Sequence, residues 1–188
     1  MSNTASYVSV GKPKKAGAIF RAPVGTTLPT STTTSLAAGF NGLGYASEDG
    51  VTNSNSPSVA DIKAWGGDVV ASPQTDKPDT FKVKLIESLN KDVLQTVYGD
   101  SNVSGSLSDG IAISVNSDDP GYYSFVIDMV LQGNTAKRIV IPEAKISAVG
   151  DIVYKDNDVI AYEITLSARP DSTGNTHYEY IKQLSTTI

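Results

Sequence analysis

A chain of 188 residues, 39% hydrophobic and 19% charged, is long enough for one domain with a real core and too apolar to be disordered throughout. It contains no cysteine, which excludes disulfides and thiolate metal sites. The net charge is −5 but unevenly spread: residues 1–47 carry Lys12, Lys14, Lys15 and Arg21 and no acid, while the remainder holds 11 basic and 20 acidic residues. That polarity fits head-to-tail attraction between copies, and equally a few solvated lysines near a flexible end.

The first residues, MSNTASYVSVGKPKK, offer no apolar run suited to a signal peptide. The most apolar stretch, Phe125 to Leu131, is interrupted by Asp128 and too short to cross a bilayer. The expectation is a protein made in the cytoplasm, without membrane insertion.

In chain order, residues 1–16 read as an arm, followed by a short strand over 17–22. Thr26 to Ser35 holds six Thr and two Ser around Leu28 and Pro29 and reads as a loop, with Ser35 placed to cap a helical turn ending near Phe40. Residues 42–47 suggest a strand. Residues 48–65 suggest a long extended loop with Trp65 at its base, an aromatic expected to anchor local packing more readily than to bind a partner.

The middle is clearer. Phe81, Val83 and Leu85 alternate with Lys82 and Lys84, as in a half-buried strand. Ser88 or Asn90 caps a helix with Asp92 in its first turn, an apolar stripe of Leu89, Val93, Leu94 and Val97, and Gly99 at its end. Strands follow at 111–115 and 123–131, the latter with Tyr123, Phe125, Ile127, Met129 and Leu131 on one face and Ser124, Val126, Asp128 and Val130 on the other. Residues 132–134 make a hairpin turn. A strand over 137–149 contains Pro142, so a bulge or edge is expected there. Residues 159–168 alternate again, with Ile160, Tyr162, Ile164 and Leu166 inward, and 176–188 read as a trailing arm. The sum is a mainly β chain: an antiparallel β-sandwich or barrel with one flanking α-helix.

Catalytic signals are missing. The single histidine, His177, lies in the expected carboxy-terminal arm, without the fixed partner and shielded pocket a general base needs. The chain has no G-x-S-x-G elbow and no phosphate-binding loop, and the glycines at 39, 42 and 44 have the wrong spacing for a dinucleotide fingerprint. Asp156-Asn157-Asp158 lacks the rest of a calcium loop. Arginines are few, which disfavours tight nucleic-acid binding. No enzyme, cofactor or metal site is expected.

Five segments, taken in order, carry a family likeness: GKPKKAGAIFRAPVGTTLPT, YASEDGVTNSNSPSVADIKAWGGDVV, TDKPDTFKVKLIESLNKDVLQTVYG, KRIVIPEAKISAVGDIVY and GNTHYEYI. Together they resemble the major tail (tail tube) proteins of siphophages, particularly those infecting Gram-positive bacteria. The resemblance implies a β-sandwich with a flanking helix, as in contractile tails and type VI secretion tubes. It also implies hexameric rings stacked around a genome-conducting channel in the virion tail, with tape measure and terminator proteins as further partners and DNA passing without specific binding. It marks 1–16, 48–65 and 174–188 as segments that join neighbours, flanking or within a single domain over 17–173. Some relatives add a carboxy-terminal immunoglobulin-like domain, which is not expected within these 188 residues.

Candidate residues follow from these readings. Tyr7, Val8, Val10, Lys12, Lys14 and Lys15 belong to the arm, docking on a neighbour. Glu48, Asp49, Asp61 and Trp65 belong to the inter-ring loop. Asp128 and Glu163, on polar strand faces, are candidates to face the lumen. Lys82 and Lys84 lie on a similar face, which leaves open a wall of mixed charge or a subunit contact there. A non-catalytic β-sandwich that binds carbohydrate or a cell surface is the alternative function, though one Trp and scattered Tyr do not outline a sugar groove; an enzyme of unknown type ranks third.

Overall fold

Strands dominate the computed structural model, which describes residues 3–14 and 17–185. The amino-terminal residues give a 3-10 turn, Ala5–Tyr7, then β1 (Lys12–Pro13) and β2 (Ile19–Pro23). Beyond the Thr-rich loop come β3 (Asn41–Gly42) and the ten-residue β4 (Ala46–Asn55). Four very short strands, β5 (Ser58–Val59), β6 (Ile62–Lys63), β7 (Val69–Ala71) and β8 (Gln74–Asp76), lead to β9 (Asp79–Leu85). Helix α1 (Lys91–Tyr98) and a second 3-10 turn, Asp100–Asn102, precede a small hairpin of β10 (Val103–Ser106) and β11 (Gly110–Ile113). The longest hairpin follows, β12 (Tyr123–Leu131) and β13 (Thr135–Val149), then β14 (Tyr162–Ala168) and β15 (Tyr178–Gln183).

One antiparallel sheet runs β3-β2-β12-β13-β14-β9-β4, with β1 beside β12 and β15 beside β13. Strand β13 is shared between two halves of the fold. Its first part, Thr135–Val140, pairs with β15, and its second, Ala144–Val149, with β14. Pro142 lies at the change-over. The pairing with β12 slips between Tyr123 and Phe125, and Ser124 Oγ donates to the Pro142 carbonyl at 2.7 Å. A residue without an N–H is accommodated by that bulge in a strand paired on both sides, so of the two expected placements the bulge is the one adopted.

The sheet rolls up. Leu43 N donates to Ile19 O, beside β2, and Ile86 N donates to Tyr45 O, beside β9. Residues 43–45 thus carry the chain from one end of the strand order to the other, a reach of about 10 Å for three extended residues. The strand expected over 42–47 is this crossover, and Leu43 from it is fully buried in the core. Gly44 makes the crossing possible. Its φ is +67°, and a Cβ there would fall 1.9 Å from the Glu87 Cδ. That carboxylate accepts from Tyr45 N at 2.9 Å and from Asn90 Nδ2 at 2.9 Å. Gly44→Ala combines a left-handed backbone with displacement of Glu87, and it is expected to cost about 2 kcal/mol or more in urea unfolding.

The main core gathers Ile19, Phe81, Leu85, Phe125, Ile141, Ile164 and Leu166, and α1 covers it with Val93, Leu94 and Val97. Asn90 caps α1 by accepting from Asp92 N at 3.0 Å, and Gly99 ends it at φ +96°. Leu89 precedes the cap and is 66% exposed, so it does not join the apolar stripe. The alternation over 111–115 predicts one buried face, yet Ile113 and Val115 are exposed, because β10–β11 forms a separate two-stranded hairpin off the main sheet.

The opposite face of β12 is also buried. Ser124, Val126 and Asp128 sit under cover together with Ala22 and Val140. Over Asp128 and Arg138 lies the Thr-rich segment, whose Ser31 and Thr34 carbonyls accept from Arg138; it adopts no helix over 35–40, only a turn with Phe40 N bonded to Ala37 O. The result is one rolled sheet with the helix on its core side and a thin loop layer outside.

Candidate functional site

The most conspicuous surface feature is the chain between β4 and β9. Asn55 and Asp79 are paired partners at the ends of those strands, and everything from 56 to 78 projects beyond them. Strand β5 pairs with β8, and β6 with β7, each as a two-stranded ribbon. Every residue of 56–78 is exposed, including Val59, Ile62, Val69 and Val70. The segment expected as a long extended loop over 48–65 is thus the edge strand β4 followed by half of a β-hairpin arm. Trp65 stands at the tip turn, where Gly67 N bonds to Ala64 O, and it is wholly exposed. It anchors no local packing, which corrects the expectation from its place beside Gly66-Gly67.

Asp61 lies on the same arm and accepts from Ser72 Oγ at 2.6 Å. Glu48 and Asp49 do not. They occupy an exposed bulge where the β4 register slips between Ala46 and Val51, at the far end of the strand from the arm. The four loop candidates therefore fall into two separate places.

At the amino terminus Tyr7, Val8 and Val10 are exposed, and the chain then lies along β12 with Lys12 opposite Val130 and Pro13 opposite Met129. Lys14 Nζ is 3.7 Å from Asp128 Oδ2, and Lys15 falls outside the described residues. The carboxy-terminal segment is no free arm over its described part. Strand β15 pairs with β13 from Tyr178–Val140 to Gln183–Thr135. Ahead of it, Thr176 Oγ1 and His177 Nδ1 both donate to Asp79 Oδ2 at 2.5 Å, while Asn53 Nδ2 donates to Oδ1 at 2.8 Å. Burial pushes the Asp79 carboxyl up, but the bonds from Thr176, Asn53 and His177, with the His177 charge, outweigh it and hold the carboxyl below its ordinary range. His177 is only 18% exposed in its side chain and meets Phe81 edge-on at 5.2 Å, so the surface histidine expected in a free arm is a fixed one.

The two lumen candidates separate. Glu163 lies on the outward face of β14 and pairs with Lys82 Nζ at 2.8 Å, in a setting with Lys84, Thr165 and Ser167. Asp128 is 5% exposed, and its charge is taken up by Arg138. Its two oxygens accept from Arg138 Nε at 2.6 Å and Nη2 at 2.7 Å, and Arg138 Nη1 donates to the carbonyls of Ser31 and Thr34. Asp128 is a structural partner that ties the loop layer down, and the expectation that it faces a channel is corrected on that ground. A second buried cation, Arg21, carries no signal in the sequence. It donates to Asp100 Oδ1 at 2.6 Å and lies over the Tyr123 ring, fastening the end of α1 to β2.

A cavity of about 490 Å³ lies between Lys14, the 32–36 loop, Arg138 and Leu184. Its charged walls are taken up by the Asp128–Arg138 pair and by Lys137, which is bonded to Glu179 at 2.9 Å. Among the described residues no group of His, Asp or Glu is placed to hold a metal ion, and no helix is long and apolar enough to cross a membrane.

The family model described as phage tail tube protein matches residues 11–186. The chain belongs to the phage tail tube protein family. As a tail tube protein it is a structural component of the bacteriophage virion that assembles with itself and with other tail components. No curated protein sequence matches it. Among solved structures it is similar to a chain of the anti-feeding prophage cap, the AFP tube terminating cap, at 10% identity and a TM-score of 0.41, over 98% of this chain and 100% of that one.

Proposed function

We propose that copies of this tail tube protein form hexameric rings that stack into the tube through which a siphophage genome enters its host. The observation that carries the reading is the arm over 56–78. A two-stranded ribbon has marginal stability alone in water, and this one exposes Val59, Ile62, Trp65, Val69 and Val70 with no core of its own. Such a surface is completed by a neighbour, and in a homopolymer the neighbour is another copy. The residues before β1, with Tyr7, Val8 and Val10 exposed, serve as a second point of attachment. The basic start of the chain and its acidic body orient the copies head to tail. Tape measure and terminator proteins are the proposed partners at the bore and the end of the tube.

The channel wall is assigned to the outward face of β9 and β14. Lys82 and Glu163 pair there, Lys84 lies directly across from Glu163, and the other neighbours are Thr80, Thr165 and Ser167. With Lys82 paired, Lys84 is the cation left over among these residues, and a wall of mixed charge with so small an excess holds a polyanion weakly, because binding through phosphates grows with each uncompensated cation. Negative-stain electron microscopy of the concentrated protein is the test. Rings and tubes are expected. Monodisperse monomers at high concentration, also in the presence of the other tail components, would overturn the reading.

A further inference from the structure

Asp79 stands where two projecting pieces of the molecule meet. It is the first residue of β9, directly after the arm returns, and its Cα partner on β4 is Asn55, the last residue before the arm leaves. Its side chain points to the core side, in line with Phe81, and is wholly buried. Asn53 of β4 fills Oδ1, while Thr176 and His177, the residues that lead into β15, fill Oδ2. The root of the arm and the root of the carboxy-terminal strand thus share one carboxylate.

We propose that Asp79 is a latch that couples the two, so that release of the carboxy-terminal strand loosens the root of the hairpin arm, and movement of the arm loosens the strand. The physical reason is the cost of a buried carboxylate stripped of donors. If β15 peels away, Thr176 and His177 leave with it and Oδ2 loses both its bonds. The His177 ring also leaves the edge of Phe81 and opens the site to water. The carboxylate then gains by turning outward, which breaks its bond to Asn53 and frees the last pairs of β4 with β9. Strand β15 is suited to peel, because most of its residues are exposed and its pairing is confined to β13. The arm root is suited to respond, because Asn55 Oδ1 is buried there with no donor among the described residues. In a polymer, an arm seated on a neighbour would thereby set the strength with which the same subunit holds its own β15. That consequence rests on the proposed assembly, whereas the coupling itself belongs to the single subunit.

Trp65 is the only tryptophan and stands at the tip of the arm, so its fluorescence anisotropy reports arm motion without a label. Amide exchange over 178–183 reports the strand. Both are read on dilute protein shown to be monomeric by light scattering, so a failure to polymerise does not enter the result. The double change Thr176→Ala with His177→Ala alters only residues that lead into β15. It is expected to speed exchange over 178–183 about tenfold and to increase the fast component of the Trp65 anisotropy decay. Asn53→Ala touches only the arm side and is expected to speed exchange over 178–183 several-fold. If the strand-side variant frees 178–183 while Trp65 is unchanged, or Asn53→Ala leaves the 178–183 amides as slow as in the parent, the two pieces are independent and the latch is wrong.

Discussion

Arg138→Ala is expected to destabilise the subunit by about 3–5 kcal/mol, the range for removing one partner of a buried ion pair. The change does more than delete a charge. It strands the Asp128 carboxylate at 5% exposure and leaves the carbonyls of Ser31 and Thr34 without the Nη1 donor that binds the loop layer to the sheet. Lys14, 3.7 Å away and half-exposed, gives only a screened replacement. Arg138→Lys keeps the charge but loses the fork that reaches the carboxylate and both carbonyls at once, so its cost should fall between those of the parent and the alanine variant. The double change Asp128→Leu with Arg138→Met removes the buried charges together and is expected to be less damaging than Arg138→Ala alone. Urea unfolding of the four proteins measures the order. Equal stability of parent and Arg138→Ala would mean that the pair and the loop layer contribute nothing. Since domains of this kind are stable by about 5–15 kcal/mol, the alanine variant should lose a large share of that margin.

The same ion pair marks a limit of local sequence patterns. Alternation along β12 assigns Asp128 to a polar face, and polar faces are normally wet. The layer that covers it comes from residues 31–36, about a hundred positions away and with no apolar periodicity, so no local pattern announces it. Yet the turn over 132–134 is legible, and counting outward from it pairs Leu131 with Thr135 and, three steps on, Asp128 with Arg138. Opposite charges directly across a hairpin are therefore readable as partners from the amino-acid order alone. Strand β9 and helix α1 are legible because each carries its own signal. In β9 it is strict alternation, and in α1 it is a cap, a first-turn acid and a closing glycine.

Where the sequence misleads, pairing is long-range or the rule for a single residue type is too weak. His177 has no local partner to suggest burial, since Asp79 lies 98 positions away. Trp65 beside two glycines looks like an anchor, because exposed tryptophan is uncommon. The alternative, that Ala64 to Gly67 is the tip of a ribbon between Ile62 and Val69, requires the pairing of β6 with β7 to be recognised across only a few residues. The same gap conceals that the polar run from 46 to 55 is a full edge strand and that YEYIKQ at the carboxy terminus adds to the sheet.

Replacing residues 56–78 by a two-residue Asn-Gly turn is expected to leave a folded, β-rich monomer that no longer forms tubes. The geometry favours the splice: Asn55 and Asp79 are already partners, so β4 and β9 need only a tight turn to join them. Nothing in the deleted stretch is buried, so the core loses no contact of consequence. Shortening the loop also lowers its closure entropy, by roughly 0.6 kcal/mol for each halving of its length. Stability in urea should therefore stay within about 1–2 kcal/mol of the parent. Assembly should respond in the opposite way, because the exposed apolar side chains of Val59, Ile62, Trp65, Val69 and Val70 leave with the arm. The single change Trp65→Ser isolates the tip. It should leave the monomer's unfolding curve unchanged and raise the concentration needed for assembly by about tenfold or more, the loss that follows when a large aromatic is removed from the centre of a contact. Sedimentation velocity across a concentration series separates the two effects. A shortened chain that still builds tubes would assign the subunit contact to the amino-terminal residues and β15, while one that fails to fold would make the arm part of the domain's own stability.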